Sequence, residues 1–252
     1  MGANFFRLAH YPQAPEVLRL ADEYGILIWE EIPVVNYMNI DPEFLANSKH
    51  MLREMIEQNY NHPAIVMWGS MNEILLHSKQ GNRIQKQDDV EYVSNVRKYA
   101  ISLDSLVRAL DSTRYSTMAI HGSDDYAKYQ LDNISQVTGH NNYSGWYGGK
   151  VEDFGTYFDK VHQQNPKQNI FISEYGAGSD RRLNSSNPQR LDVTSTYQRY
   201  YHESYISPIN SLPYLCGTAI GNAFDFSQPN TVAIPTTANQ TGVITLERRN
   251  QQ

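Results

Sequence analysis

The chain has 252 residues, a formal net charge of −6 from 21 Lys plus Arg against 27 Asp plus Glu, and an apolar share of 40%. That supports one large domain with a sizeable core and argues against disorder; an α/β barrel, at roughly 250 residues, fits the length. No basic stripe stands out and no run of about 18 apolar residues occurs, so neither nucleic acid nor a membrane is an expected partner, and the lone Cys216 excludes an internal disulfide or a cysteine-based zinc site.

In chain order, short apolar strands alternate with amphipathic helices, the order of a parallel α/β sheet or barrel. Strands are expected at Asn4–Ala9, Ile26–Ile32, Ala64–Met71, Tyr115–His121, Val137–Asn142, Asn169–Glu174 and Cys216–Phe226. Helices are expected at Pro15–Tyr24, Pro42–Asn59, Val90–Leu110, Val151–Gln163 and Leu191–Ile206. Pro15 suits a first helical turn, and Pro208 is expected to stop the last helix. Polar loops are read at His77–Asp89, Arg181–Gln189 and Ser227–Asn239. Seven strands rather than eight give the expectation of an α/β fold of the TIM (β/α)8 type, as one catalytic domain over residues 1–252. The barrel is read as incomplete, lacking its first strand–helix unit and its final helix. Two open sheet edges would then invite self-association. The opening MGANFFRLAHYP reads as a strand rather than a signal peptide.

Two apolar strands end in carboxylates. NHPAIVMWGSMNE closes on Asn72 and Glu73, and NIFISEYG carries Glu174 followed by Tyr175 and Gly176. Strand C-terminal ends form the mouth of a barrel, where catalysis occurs. The two are about three strand–helix units apart, so both can face one mouth. Beside Trp68 and Asn72, Glu73 is in a setting suited to the raised pKa of a general acid. Glycoside hydrolysis needs such a pair, one to protonate the leaving oxygen and one to attack the anomeric carbon or activate water. The plainer reading makes each Glu a surface cap or the partner of an arginine.

The surrounding motifs decide between these. RLAHYP (Arg7–Pro12), LADEYGILIWEEIP (Leu20–Pro33), NHPAIVMW with Asn72-Glu73, HNNYSGWYGG (His140–Gly149) and ISEYG together resemble glycoside hydrolase family 2. The resemblance implies a retaining mechanism, with Glu73 as acid/base and Glu174 as nucleophile, their carboxyls about 5 to 5.5 Å apart. It implies that Asn72 holds the sugar 2-hydroxyl, Tyr143 hydrogen-bonds the nucleophile, and Arg7 neutralises and orients Glu174. It also places His10 in the substrate region, makes Trp146 a candidate sugar platform, and leaves His140 and Asn141 as lesser pocket candidates. Trp29 and Trp68 are expected in the core, and Glu30 and Glu31 in structural ion pairs or at the pocket. No cofactor or metal is expected, and a carbohydrate is the expected partner. A bacterial periplasmic or secreted location is suggested by the resemblance alone.

Three departures bear on the substrate. Relatives often carry tryptophan in a W-N-x-F-D-F run where this chain has Gly221. They often have an N-x-K-G turn, lysine meeting a uronic carboxylate, where this chain reads Asn239-Gln240-Thr241-Gly242. The opening unit is also expected to be missing. The expectation is therefore a retaining β-galactosidase acting on terminal β-galactosides. The alternatives are a catalytically impaired fragment that only binds sugar or another chain, β-glucuronidase or β-mannosidase specificity, and an inverting barrel with carboxyls about 6.5 to 9.5 Å apart.

Overall fold

The structure is a computed structural model and describes residues 2–77, 90–227 and 238–244, with the backbone alone at 238–239. Most of the polar loops expected at His77–Asp89 and Ser227–Asn239 lies outside the described residues.

The strands are β1 (Phe5–Leu8), β2 (Leu27–Glu31), β3 (Ile65–Asn72), β4 (Tyr115–His121), β5 (Val137–Asn141), β6 (Ile170–Glu174) and β7 (Leu215–Thr218), hydrogen-bonded in chain order. The β1–β2, β2–β3 and β3–β4 pairings are parallel. The helices are α1 (Pro15–Tyr24), α2 (Pro42–Asn59), α3 (Val90–Leu110), a single turn α4 (Asp125–Lys128), α5 (Asp153–Gln164) and α6 (Ser195–Ser211). A two-residue ribbon joins β8 (Phe226–Ser227) and β9 (Ala238–Asn239).

The chain divides into two compact units, Met1–His140 with Gln168–Phe171, and Asn141–Lys167 with Ile172–Gln252. In the first unit, residue alternation along β2 separates two faces. Ile28 and Ile32 join Leu18, Leu52, Met55 and Trp68 in the core under the helices, while Trp29 and Glu31 take the opposite face. Trp29 and Trp68 are fully buried, as core residues. Pro15 and Pro42 open their helices where a missing N–H costs nothing, and Gly25, at φ +67°, closes α1 in the left-handed conformation.

Three expectations are corrected. The last barrel strand runs only Leu215–Thr218, because at Gly221 the chain turns to bond its amide to Tyr175 O. The last helix does not begin at Leu191: Leu191 and Val193 have φ of +69° and +50°, and α6 starts after Thr194, whose hydroxyl accepts from the Tyr197 amide. Pro208 sits inside α6 rather than beyond it, and the helix continues to Ser211. It lies against α5 at Gly155, where an added Cβ would stand 3.7 Å from the proline ring, so tertiary packing carries the helix across a residue that would end it in isolation.

Candidate active site

In the first unit the carboxylate expected to be catalytic stands at an irregular strand end. The β3–β4 register shifts between Gly69 and Asn72, a bulge of the kind that re-aims side chains near functional sites. Glu73 follows at φ +50°. Its amide donates to Ala119 O at 2.9 Å and its carbonyl accepts from the Leu76 amide at 2.8 Å. The next turn is fixed by Tyr126, a buried residue whose hydroxyl accepts from the Leu75 amide at 3.2 Å and lies 3.1 Å from His121 Nδ1. Burial pushes the Tyr126 phenol well up, against the Leu75 amide, and the Glu73 charge adds to the rise, so it stays neutral.

Beside it, Arg7, His10 and Asn72 gather around Glu31. Arg7 Nε and Nη2 each donate to a Glu31 oxygen at 3.0 Å, Nη2 also donates to Asn72 Oδ1 at 2.9 Å, and the guanidinium stacks 4.8 Å over Trp29. The Arg7 bond fixes which end of the Asn72 amide is oxygen. His10 Nδ1 reaches Glu31 Oε1 at 2.8 Å, which places a ring proton on Nδ1. Burial alone would raise the Glu31 carboxyl; Arg7 and His10 outweigh it and hold it below the usual carboxylate range. Gly69 makes this possible, since a Cβ there would lie 2.4 Å from Trp29 Nε1 and 2.5 Å from Glu31 Cβ. Glu30, on the helix side of β2, accepts from Asn59 Nδ2 through both oxygens, and burial pushes its carboxyl up to about 7. His140 is buried too: its Nε2–H donates to Gln168 Oε1 at 3.2 Å, and burial lowers its imidazole to about 4.

In the second unit, β6 ends at Glu174, and Tyr143 donates its hydroxyl proton to Glu174 Oε2 at 2.9 Å. Asn141 accepts from Ser173 Oγ at 2.6 Å, buried under the same strand end. Gly221 closes around the pair. A Cβ there would lie 2.9 Å from Tyr143 Oη and 3.8 Å from Glu174 Cβ. Asn222 then donates to Thr241 Oγ1 at 2.7 Å, so the segment read as the substrate turn is tied one residue from Gly221. The structure puts Trp146 elsewhere than a platform requires. Its ring is 5% exposed and packs against Tyr197, with Gly178 beneath it, whereas its neighbour Tyr147 is 66% exposed and lies 4.9 Å from Tyr143.

A strand-end Glu is thus aimed by a loop tyrosine, and the motifs around it find their counterpart among known proteins. The sequence model described as glycosyl hydrolases family 2, TIM barrel domain, matches residues 1–251. The chain belongs to this family. A family 2 relative, the β-glucuronidase of Bacteroides fragilis, is 33% identical over 99% of this chain and 35% of its own length. The structure of Bacteroides uniformis β-glucuronidase 2 covalently bound to cyclophellitol-6-carboxylate aziridine is 38% identical with a TM-score of 0.90, over 99% of this chain and 30% of that one. A putative β-galactosidase from Bacteroides fragilis follows at 28% identity and a TM-score of 0.84, over 99% and 35%. The chain thus spans about a third of the length of these relatives, and the fold is the family's TIM barrel domain with seven strands in the described sheet.

The expected preference for galactosides finds less support than glucuronides among these family 2 relatives. Tyr147 was not singled out from sequence, where the larger Trp146 beside it drew the platform reading. The signal that separates them is the packing of Gly178 and Tyr197 on the tryptophan ring, which needs the fold to be seen. Among the described residues, no group of three or more His, Cys, Asp or Glu side chains is placed to hold a metal, and no helix is long and apolar enough to cross a membrane.

Proposed function

We propose that this chain is the catalytic barrel of a retaining β-glycosidase that hydrolyses β-glucuronides through a covalent glycosyl-enzyme. The observation that carries the reading is the 2.9 Å hydrogen bond from Tyr143 to Glu174 at the end of β6. Such a bond aims one carboxylate oxygen, as a nucleophile requires. Glu73 is the acid/base: it protonates the leaving glycosidic oxygen while Glu174 attacks the anomeric carbon, then takes a proton from the water that releases the sugar. Asn72, its oxygen held by Arg7, offers amide hydrogens suited to a sugar hydroxyl.

The glucuronide assignment rests on the relatives. Thr241 argues for a neutral sugar, because it offers no cation to a uronic carboxylate where other family members offer lysine. A β-galactoside is therefore the second reading. The full chain is incubated with 2-deoxy-2-fluoro-β-glucuronyl and 2-deoxy-2-fluoro-β-galactosyl fluorides, followed by intact mass and peptide mapping. A single adduct on Glu174 from the glucuronyl donor is expected. Labelling by the galactosyl donor alone overturns the substrate, and an adduct elsewhere, or none, overturns the mechanism.

A further inference from the structure

The residue that touches the nucleophile, Tyr143, sits on a loop, and loops alone do not hold a hydroxyl within a few tenths of an ångström. Behind this loop, α6 presents Tyr197, Tyr201 and Tyr205 at successive i, i+4 positions, all on one face and all buried. Tyr201 stacks on Tyr205 at 4.4 Å and Tyr205 on Tyr175 at 5.3 Å and 9°, with the Tyr197 ring tilted 6.5 Å from Tyr201. Core packing would be satisfied by phenylalanine at each position. The hydroxyls instead form a directed chain. Tyr201 Oη donates to Tyr205 Oη at 2.8 Å, and Tyr205 Oη donates to Ser144 O at 2.7 Å, with Asn142 Oδ1 at 3.4 Å. Tyr197 donates to Gly145 O. At its other end the ring stack closes on Tyr175, the residue after Glu174. Burial raises the Tyr201 and Tyr205 phenols, so both remain neutral donors.

We infer that Tyr197, Tyr201 and Tyr205 are positioning residues that clamp the 142–145 loop to the β6 end and so hold the Tyr143 hydroxyl on Glu174. The inference rests on the proposed roles of Tyr143 and Glu174 in catalysis. The tyrosines act through the loop: their rings pack on Tyr175, next to Glu174, and their hydroxyls hold the carbonyls of the segment that carries Tyr143. Removing the Tyr205 hydroxyl keeps the ring stack and releases Ser144 O.

The test is a double-mutant cycle on the full chain with an aryl β-glucuronide, using Tyr205→Phe, Tyr143→Phe and both together. Tyr205→Phe is expected to lower kcat about tenfold, as loss of one buried hydrogen bond permits, with KM within about twofold of the wild type by the same reasoning. The double variant is expected to be no slower than Tyr143→Phe alone, because the clamp has nothing left to position. A Tyr205→Phe enzyme at wild-type kcat, or losses that multiply in the double variant, overturns the inference. Tyr197→Phe is the second probe should Tyr205→Phe fold poorly. If the wild-type chain turns over no glucuronide or galactoside, the functional reading falls and amide hydrogen exchange judges the clamp separately. Faster exchange confined to the 142–147 segment in Tyr205→Phe supports it, and unchanged exchange there overturns it.

Discussion

Gly221→Ala tests the packing around the proposed nucleophile, Glu174, with a single methyl group. The added Cβ would lie 2.9 Å from Tyr143 Oη, whereas ordinary contact begins near 3.4 Å, so the phenol must withdraw by about half an ångström. The Tyr143–Glu174 bond, now 2.9 Å, is then stretched or bent beyond the usual range for O–H···O. A hydrogen bond to a charged group contributes ~1.5–3 kcal/mol, which corresponds to a loss of about 10- to 100-fold if it is felt in the transition state. The assay is kcat/KM on an activated aryl glycoside, with Tyr143→Phe as the benchmark and thermal unfolding as the control for the fold. The two variants should fall by similar factors, and the combined variant by little more. Gly176→Ala serves as a contrast: its Cβ would lie 2.3 Å from Gly221 O, a backbone atom that cannot swing aside, so this variant should lose stability first. A Gly221→Ala enzyme with wild-type turnover beside a crippled Tyr143→Phe would refute the reasoning.

Further outcomes follow from the first unit. Arg7→Met strands the buried Glu31 carboxylate and should cost ~3–5 kcal/mol in urea unfolding, most of it regained in Arg7→Met/Glu31→Leu; equal stability of wild type and Arg7→Met would contradict the buried pair. Glu30 is raised from 4.5 in an exposed chain to about 7, so its favourable contribution is complete below pH 4.5 and is lost as pH rises through 7. Glu30→Gln should therefore remove ~2–3 kcal/mol of pH dependence between pH 5 and 8, read from urea midpoints. His140 and His202 run the opposite way: both are lowered to about 4 by burial, so stability present above pH 6.5 is lost as pH falls toward 4. An acid limb that survives unchanged in His140→Gln/His202→Leu would exclude that cause. Tyr126→Phe leaves the Leu75 amide without its partner and should cost ~1–3 kcal/mol, with a larger rate loss on alkyl than on activated aryl glycosides if the turn it holds serves Glu73 as the proposed acid/base.

The parts of this molecule that were legible from sequence share one cause. Asn72, Glu73 and Glu174 terminate apolar runs, and a polar residue at the end of a buried strand is visible as a break in hydropathy. The helix starts at Pro15 and Pro42 are visible for a similar reason, because backbone chemistry marks them locally. What was not legible depends on partners far along the chain. Pro208 reads as a stop until α6 is seen to run on past it to Ser211 beside α5. Leu191 and Val193 read as helical until a left-handed backbone removes them. Trp146 and Tyr147 are adjacent aromatics, and partners remote in sequence, Gly178 and Tyr197, pack on the one that is buried. The tyrosines at 197, 201 and 205 display a helical period, yet that period is equally the mark of an ordinary core face.

The same division explains how the strand-end carboxylate Glu73 keeps its place. A non-glycine residue in the left-handed region costs ~1–3 kcal/mol, and Glu73 is held there at φ +50° directly after a bulge. Three hydrogen bonds over-determine the conformation: Glu73 N–H to Ala119 O, Leu76 N–H to Glu73 O, and Leu75 N–H to Tyr126 Oη. At ~0.5–1.5 kcal/mol each, together they match the strain, and all three are made by backbone amides rather than by the Glu73 carboxylate. Two of the three are bonds to groups on β4 and α4, elements whose sequences announce nothing but strand and turn. Residue identity at the candidate site is thus written locally, whereas its geometry is written in the residues that satisfy backbone groups around it. Variants of those supporting residues should alter rate without removing any group that touches substrate.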